Sequence, residues 1–136
     1  MSADTSSHLD LDDHIIRFAD LGTRKSSFVP IDMFLPRFHR ERYAVIGRGA
    51  EGTTKGKKTA DVQGFSVVYL KIEPGKAIGS HAHDTSEVFI PLTGQWEADV
   101  EGQKTTLAPF DVISVPPKAF HGIVNIGSET ALIMTI

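Results

Sequence analysis

The sequence predicts an all-β protein, an antiparallel double-sheet jelly-roll barrel preceded by a short N-terminal helix and an arm. Three observations point to this class. From Val62 onward, short apolar runs recur between turns that contain glycine or proline. Several of these runs alternate apolar and polar side chains, and neither an internal repeat nor a second domain is visible. Many short strands at regular spacing are typical of antiparallel barrels and sandwiches.

The chain of 136 residues fits one structural domain. Residues 1–61 are expected to supply a helix, an arm and a loop that pack on a barrel formed by residues 62–136. The formal net charge is −3, and no run of Lys and Arg marks a phosphate-binding face. Both features argue against nucleic acid as a partner. The densest basic cluster, residues 55–58, is interpreted as a solvated loop.

Cysteine is absent, so disulfides, thiol catalysis and thiolate metal sites are excluded. No apolar run in the sequence is long enough to span a membrane as a helix. The first residues lack the basic and apolar regions of a secretory signal. The expected location is therefore the cytoplasm, with no membrane partner.

The first element is predicted as a short amphipathic helix over residues 9–21 that ends at Gly22. Its apolar positions recur at spacings of three and four, and acidic residues cluster at its start, where a helix favours negative charge. These apolar positions are Leu11, Ile15, Ile16, Phe18 and Ala19. His14 falls within the stretch and is assigned a structural role.

A dense apolar segment around Pro30 and Pro36 follows. Proline removes a backbone donor and is excluded from central strands. The segment is therefore predicted as an arm on the outside of the barrel. A partner interface formed by Met33, Phe34 and Phe38 is the alternative.

The charged residues around His39 are interpreted as an exposed turn. They are Arg37, Arg40, Glu41 and Arg42. A short strand over residues 43–46 comes next. Residues 47–60 contain four glycines and are predicted as a mobile loop, and composition leaves open whether this loop is a lid.

The strands of the barrel are predicted from the alternation of side chains between the two faces of a strand. Phe65, Val67 and Tyr69 share one face of the first strand. The strand that begins at Glu87 is apolar on both faces, which indicates that it is covered on both sides. Further strands are predicted over residues 95–101, 103–107, 112–115, 123–124 and 131–136.

Val88, Ile90 and Leu92 share one face, which is predicted to point outward, and the run 132–136 is also apolar. Bare strand edges are a liability that proteins cover. Burying one such side chain stabilises the buried state by about 1.5–3 kcal/mol. The sequence therefore predicts a homodimer.

The stretch from Gly75 to Gly94 carries His81 and His83, one residue apart, and Glu87 four residues further on. Side chains two apart on a strand project to the same face. The three groups therefore share a face if the chain stays extended between them. Two imidazoles and one carboxylate on one face resemble the facial triad that binds a divalent first-row metal.

A third histidine, His121, lies at the end of another apolar run, between Pro116 and Asn125. With these two stretches the sequence resembles the cupin superfamily. The first family motif, Gly-x5-His-x-His-x3/4-Glu-x6-Gly, is met at every position. The second, Gly-x5-Pro-x-Gly-x2-His-x3-Asn, is met at its proline, histidine and asparagine. Phe110 and Lys118 stand in place of its two glycines, which serve turns rather than ligation.

The resemblance covers about residues 62–136 and implies a metal centre held by His81, His83, Glu87 and His121. Imidazole and carboxylate donors suit Fe(II), which is favoured here, and also Zn, Ni and Mn. Four protein donors leave up to two positions of an octahedral ion open for substrate oxygen or dioxygen. The alternative, separately satisfied core polar groups, would leave several buried groups unpaired.

Six apolar barrel residues are candidates for the pocket walls, although core packing without ligand contact is the favoured role for each. They are Phe65, Val67, Tyr69, Phe89, Trp96 and Phe120. Tyr69 is the catalytic candidate, because its hydroxyl can donate a hydrogen bond to a substrate on the metal. Gln63 and Lys118 are further polar candidates, and Asp84 and Ser86 are expected to face solvent.

The leading functional hypothesis is a dioxygenase-like oxidoreductase that acts on a small oxygenated or aromatic substrate. Isomerase or lyase chemistry on a sugar or hydroxy acid is an alternative, and it requires cationic or polar groups that the predicted inward faces rarely supply. A non-enzymatic, metal-dependent module that binds a small ligand is the third reading. Resemblance of fold does not select among them.

Overall fold

The described chain forms nine strands in two antiparallel sheets, which confirms the predicted jelly-roll architecture. The structure, a computed structural model, describes residues 10–22, 34–47 and 64–136. The strands are β1 (Glu41–Ile46), β2 (Val67–Ile72), β3 (Ala77–His81), β4 (Glu87–Pro91), β5 (Trp96–Val100), β6 (Gln103–Leu107), β7 (Ile113–Val115), β8 (His121–Asn125) and β9 (Ala131–Thr135). One sheet has the order β1-β2-β9-β4-β7, and the other has the order β3-β8-β5-β6.

The hydrophobic core lies between the two sheets. Trp96 and Ile123 contribute from β5 and β8, and Ile72 and Ile133 contribute from β2 and β9, each at most 2% exposed. Alternate residues of a strand face the same side, so every strand offers one row of side chains to this core. Packing of the two rows fixes the distance between the sheets.

The predicted helix over residues 9–21 is wrong. Two short 3-10 turns, Leu11–His14 and Phe18–Asp20, stand in its place. Ile15, between them, has extended dihedral angles of φ −112° and ψ 129°. Leu9 lies outside the described residues.

Packing against the sheet explains why helical spacing did not produce a helix. Leu21 is buried and joins Tyr43 and Val45 in a small apolar cluster on the outer face of the five-stranded sheet. The Phe18 ring lies 4.8 Å from that of Tyr43, centroid to centroid. A helix this short is marginal without packing, so the contacts that bury its apolar residues decide its conformation.

The end of the predicted arm packs on the barrel. A 3-10 turn at Pro36–Phe38 contacts β3. The Phe38 ring lies directly over Gly79, where an added Cβ would be 3.2 Å from the ring. The rest of the arm, the loop predicted at 47–60 and Gln63 fall largely or wholly outside the described residues.

The exposed charged turn predicted around His39 is wrong at Arg42. β1 begins at Glu41, and Arg42 within it is only 6% exposed. Arg42 pairs with Leu70 of β2, so the two side chains share the inner face of the sheet. His39 itself is exposed, as predicted.

The outer face of the five-stranded sheet is apolar beyond the part covered by the N-terminal segment. Ile90 and Met134 are register partners on β4 and β9, and both are partly exposed. Val88 and Leu92 are partly exposed as well. A second copy of the chain over this face stays a prediction. Within the described ranges, no helix is both long and apolar enough to cross a membrane.

Candidate metal centre

Four side chains from both sheets converge at one end of the barrel. His81 ends β3, and its register partner His121 begins β8 in the same sheet. Glu87 begins β4 in the opposite sheet, and His83 lies in the connection between β3 and β4. One ligand atom from each of the four lies within 4.8 Å of every other. The structure therefore brings together all four residues that the motif indicates.

The backbone that joins His81, His83 and Glu87 is not the continuous extended strand that was assumed from the sequence. Residues 82–86 form a connection between the two sheets rather than part of a strand. The alternation of side chains along a strand therefore does not explain the position of the Glu87 side chain. The crossing of the chain from one sheet to the other turns the carboxylate back toward the imidazoles.

Backbone carbonyls orient two of the imidazoles. Nδ1 of His81 donates to the Gly79 carbonyl at 2.7 Å, and Nδ1 of His121 donates to the Ala119 carbonyl at 3.0 Å. A proton held on Nδ1 leaves Nε2 as the metal-binding nitrogen of the neutral ring. Local hydrogen bonds thus select the tautomer that each ring needs for ligation.

The Glu87 carboxylate is the centre of the cluster. Its Oε2 lies 3.0 Å from Nε2 of His121 and 3.2 Å from Nε2 of His83. Its Oε1 accepts a hydrogen bond from the Thr135 hydroxyl at 3.3 Å. One carboxylate oxygen is therefore shared by two histidines, and the other is held by β9.

The cluster perturbs the pKa values of its members. Burial alone would raise the pKa of Glu87, but the hydrogen bond from His121 and the charges of the histidines outweigh it and lower that pKa. Burial alone would lower the pKa of His121, but its bonds to Glu87 and to the Ala119 carbonyl raise it. Burial, with the neighbouring imidazole charges, lowers the pKa of His81.

The donor set fits a divalent first-row ion. Three imidazoles and one carboxylate are typical ligands of Fe, Ni, Zn and Mn. Donor atoms held about 2.0–2.2 Å from one ion lie at most about 4.4 Å apart. The observed spread of 4.8 Å is only slightly wider. Small side-chain adjustments would bring the four atoms onto one ion.

Metal affinity is expected to fall on mild acidification. In the metal-free cluster both ring nitrogens of His121 face acceptors, which stabilises its doubly protonated form and raises its pKa above the usual 6.5. A proton then competes with the metal for Nε2 already above pH 6.5. Below the pKa of His121, affinity should drop by roughly tenfold per pH unit. Titrations with Zn(II) from about pH 8 to pH 6 check this, and constant affinity across that range would contradict it.

A cavity of about 410 Å³ adjoins the cluster. His81, His83 and Glu87 line it on one side, and Phe38, Val68 and Leu70 are among its apolar residues. A cavity of this size fits within the range typical of small-molecule sites. The cluster therefore faces a space that can hold a small substrate.

Arg40 and Arg42 also line this cavity, and sequence reasoning missed both. Arg42 has other interactions, and its Nη1 nitrogen is buried without a hydrogen bond in the described part of the chain. Strand alternation was the available signal: Arg42 and Ala44 share a strand face, and Ala44 is 1% exposed.

The prediction that Tyr69 faces the site is wrong. Tyr69 lies on the outer face of β2, beside the cluster of Leu21, Tyr43 and Val45, and its ring is 5.8 Å from that of Phe18. Val67 lies on the same outer face. The inner face of β2 instead carries Val68 and Leu70 toward the cavity. Tyr69 therefore takes no part in the proposals below.

The other predicted wall residues divide between core and surface. Trp96 is fully buried core, and its indole donates to the Thr93 carbonyl at 2.8 Å. Phe89 is buried with its ring 5.6 Å from that of His121, centroid to centroid. Phe65 and Phe120 are both about half exposed. Phe89 therefore contacts the cluster through His121.

Phe110 and Lys118 replace the motif glycines at two left-handed backbone positions, with φ of 69° and 68°. The Phe110 amide donates to the Pro91 carbonyl at 2.8 Å, and the Lys118 amide donates to the His83 carbonyl at 2.6 Å. The turns that glycine favours are therefore retained, and the second turn holds the connection that carries His83. Asp84 and Ser86 beside it are exposed, as predicted.

Comparison with known proteins agrees with this geometry. A model of the cupin domain matches residues 68–136, just over half of the chain. A 5-nitrosalicylic acid 1,2-dioxygenase from Bradyrhizobium is 28% identical over 102 residues, which cover 74% of this chain. The match covers 49% of that relative, so the chain spans about half of its length.

Solved structures show the same fold. A predicted oxalate decarboxylase from Thermotoga maritima has a TM-score of 0.66 at 16% identity, covering 89% of this chain and 95% of that one. An RmlC-like cupin from Shewanella frigidimarina has a TM-score of 0.63 at 16% identity, covering 90% and 86%. With two antiparallel sheets, both family motifs and a matching domain model, the chain belongs to the cupin family.

Proposed function

We propose that this protein is a metal-dependent, dioxygenase-like oxidoreductase that acts on a small aromatic or otherwise oxygenated substrate. The observation that carries the proposal is the cluster of three histidines and one glutamate beside a cavity of about 410 Å³. Cupins commonly bind divalent metals. The similarity to a 5-nitrosalicylic acid 1,2-dioxygenase supports an aromatic substrate. Histidine and carboxylate donors with open positions suit Fe(II).

One group of residues would bind the metal, and a second group forms the cavity wall. His81, His83, Glu87 and His121 would hold the ion. When bound, the ion supplies Lewis-acid and redox chemistry at positions that the protein leaves open. Hydrogen bonds to backbone carbonyls orient the imidazoles of His81 and His121 before the metal binds, which limits the rearrangement of these two rings on binding.

The cavity wall has a separate role. Phe38 and Leu35 line the cavity from the arm, and Val68 and Leu70 line it from β2. Apolar walls exclude water, which strengthens polar interactions inside the site and limits side reactions. An aromatic ring packed on these walls would lie beside the metal donors.

Isomerase or lyase chemistry on a hydroxy acid is the second candidate. Arg40 and Arg42 favour it, because they supply the cationic groups that such a substrate requires. Either reaction would use the same four metal donors. A dioxygenase requires oxygen and an isomerase or lyase does not, so the oxygen dependence of the reaction distinguishes the two candidates.

The test is turnover by protein loaded anaerobically with Fe(II) and then exposed to oxygen. A panel of small phenols and diketones, including salicylate and 5-nitrosalicylate, would be followed by oxygen uptake and product mass. We expect one dioxygen consumed per substrate, with both oxygen atoms in the product. Zn(II)-loaded protein and the His83→Ala variant should be inactive. Substrate loss without oxygen uptake, equal with Zn(II), would contradict the dioxygenase and favour the isomerase or lyase.

The proposal also includes a cytoplasmic homodimer. The partly exposed apolar side chains Val88, Ile90 and Met134 on the outer sheet face support a second copy there. Light scattering at several concentrations would decide between monomer and dimer.

A further inference from the structure

We propose that Arg42 is the anchor for a carboxylate group on the substrate, and that the natural substrate is therefore a small organic acid. This inference deepens the proposed function, because it assumes that the cavity beside the metal donors is the substrate site. It assigns to Arg42 the preference of the site for an acid over the neutral analogue of that acid.

The burial of Arg42 is the first observation. The side chain is 6% exposed, although arginine is among the residues that proteins rarely bury. Its guanidinium stays charged at every accessible pH. Moving a charge out of water is costly unless the site compensates for it. Arg42 has interactions within the protein that offset this cost, and its position places a charged residue at the cavity wall.

The position of Arg42 is the second observation. Its strand partner Leu70 and the neighbouring Val68 line the same cavity, and both are core residues. Arg42 thus lies beside apolar residues of the cavity wall. A small aromatic or aliphatic body would pack on Leu70 and Val68, while an acid group would meet the arginine.

The charges around the cavity are the third observation. Arg40 lines it together with Arg42. Glu87 is the carboxylate among the described residues that line the cavity, and its Oε2 already contacts His83 and His121. With a divalent ion on the cluster, the described part of the lining would carry positive charge on two sides. An anionic substrate matches this field better than a neutral one.

A carboxylate is the anion that fits best. The planar guanidinium presents paired donors that match the two oxygens of a carboxylate. A cavity of about 410 Å³ has room for an aromatic or short aliphatic acid.

Benzoate and benzamide are matched probes, because they have the same ring and differ in charge. Their affinities would be measured by calorimetry on metal-free and on Zn(II)-loaded protein. We expect wild-type protein to bind benzoate at least about 10-fold tighter than benzamide in both forms, as is typical of a hydrogen bond to a charged group. Preference in the metal-free form would show that the metal does not create it.

Three variants locate the source of the preference. Arg42→Gln should remove most of it, and Arg42→Lys should retain part of it. Lys76→Gln removes one positive charge from a second, charged cavity bordered by Lys71 and Glu73, and it should change nothing. Thermal unfolding of each variant would establish that it is folded.

Several outcomes would overturn the inference. Equal binding of the two probes by wild-type protein would do so, as would a preference that survives in folded Arg42→Gln. Loss of the preference in Lys76→Gln would place the anion in the other cavity instead. The proposed function fails separately: protein that prefers benzoate but never consumes oxygen with Fe(II) would keep this inference and lose the dioxygenase.

Discussion

Replacing His121 with alanine is expected to lower the affinity for a divalent metal by at least about 100-fold, since even loss of an outer hydrogen-bond partner of a metal ligand costs 10- to 100-fold. His121 is 3% exposed and lies 3.0 Å from Glu87. Its loss removes one donor and also the group that helps to keep the Glu87 carboxylate ionised. Competition with a chromophoric chelator measures the affinity.

His14→Ala is the matched control, because His14 is exposed and lies outside the cluster. It should bind metal as wild-type protein does. Circular dichroism would show that the His121→Ala variant keeps its strands. Wild-type affinity in folded His121→Ala would mean that the cluster does not bind the metal.

Replacing Asn125 with alanine is expected to destabilise the fold by about 3 kcal/mol or more, because removal of one partner of a buried hydrogen bond costs about 1–3 kcal/mol. Asn125 is fully buried. Its amide nitrogen donates to the carbonyls of Ile72 and Glu129, each at 2.9 Å, and its amide oxygen accepts from the Gly127 amide at 2.9 Å. Alanine would remove one buried and two partly buried hydrogen bonds to the backbone.

Urea unfolding with a fit for the free energy in water measures the effect of Asn125→Ala. Gln95→Ala is the control, since Gln95 is exposed and also carries an amide. Its substitution should change the free energy of unfolding by no more than about 0.5 kcal/mol. Equal stability of the two variants would contradict the role assigned to Asn125.

The sequence predicted the site better than it predicted the walls around it. The histidines, Glu87 and Asn125 lie at fixed spacings in two motifs. Those spacings can be read from the sequence without knowing the direction of each strand. The hydrogen bond from the Gly75 amide to the Asn125 carbonyl, at 2.9 Å, joins the two motifs in space. A local pattern was sufficient because each motif spans one turn between strands.

The assignment of Tyr69 failed because β2 is apolar on both faces. Val68 and Leu70 face the core, while Val67 and Tyr69 pack with the N-terminal segment. Alternation separates the two faces of a strand but does not say which one is inside when both are covered. The missing information was the position of residues near Leu21, which is a tertiary contact.

Arg42 was missed for the opposite reason. Charge is normally a reliable sign of exposure, so Arg42 was grouped with Arg37 and Arg40 in a surface turn. The strand register with Leu70 buries it. Places where local rules fail in this way are often functional, which agrees with the role proposed for this residue.

The most direct test of the metal centre is anomalous diffraction from a crystal of Fe(II)-loaded protein, with data collected on both sides of the iron edge. One strong peak is predicted at about 2.0–2.2 Å from donor atoms of His81, His83, Glu87 and His121. A peak elsewhere, or none at the cluster in a crystal that contains iron, would contradict the central claim that these four residues hold a metal ion.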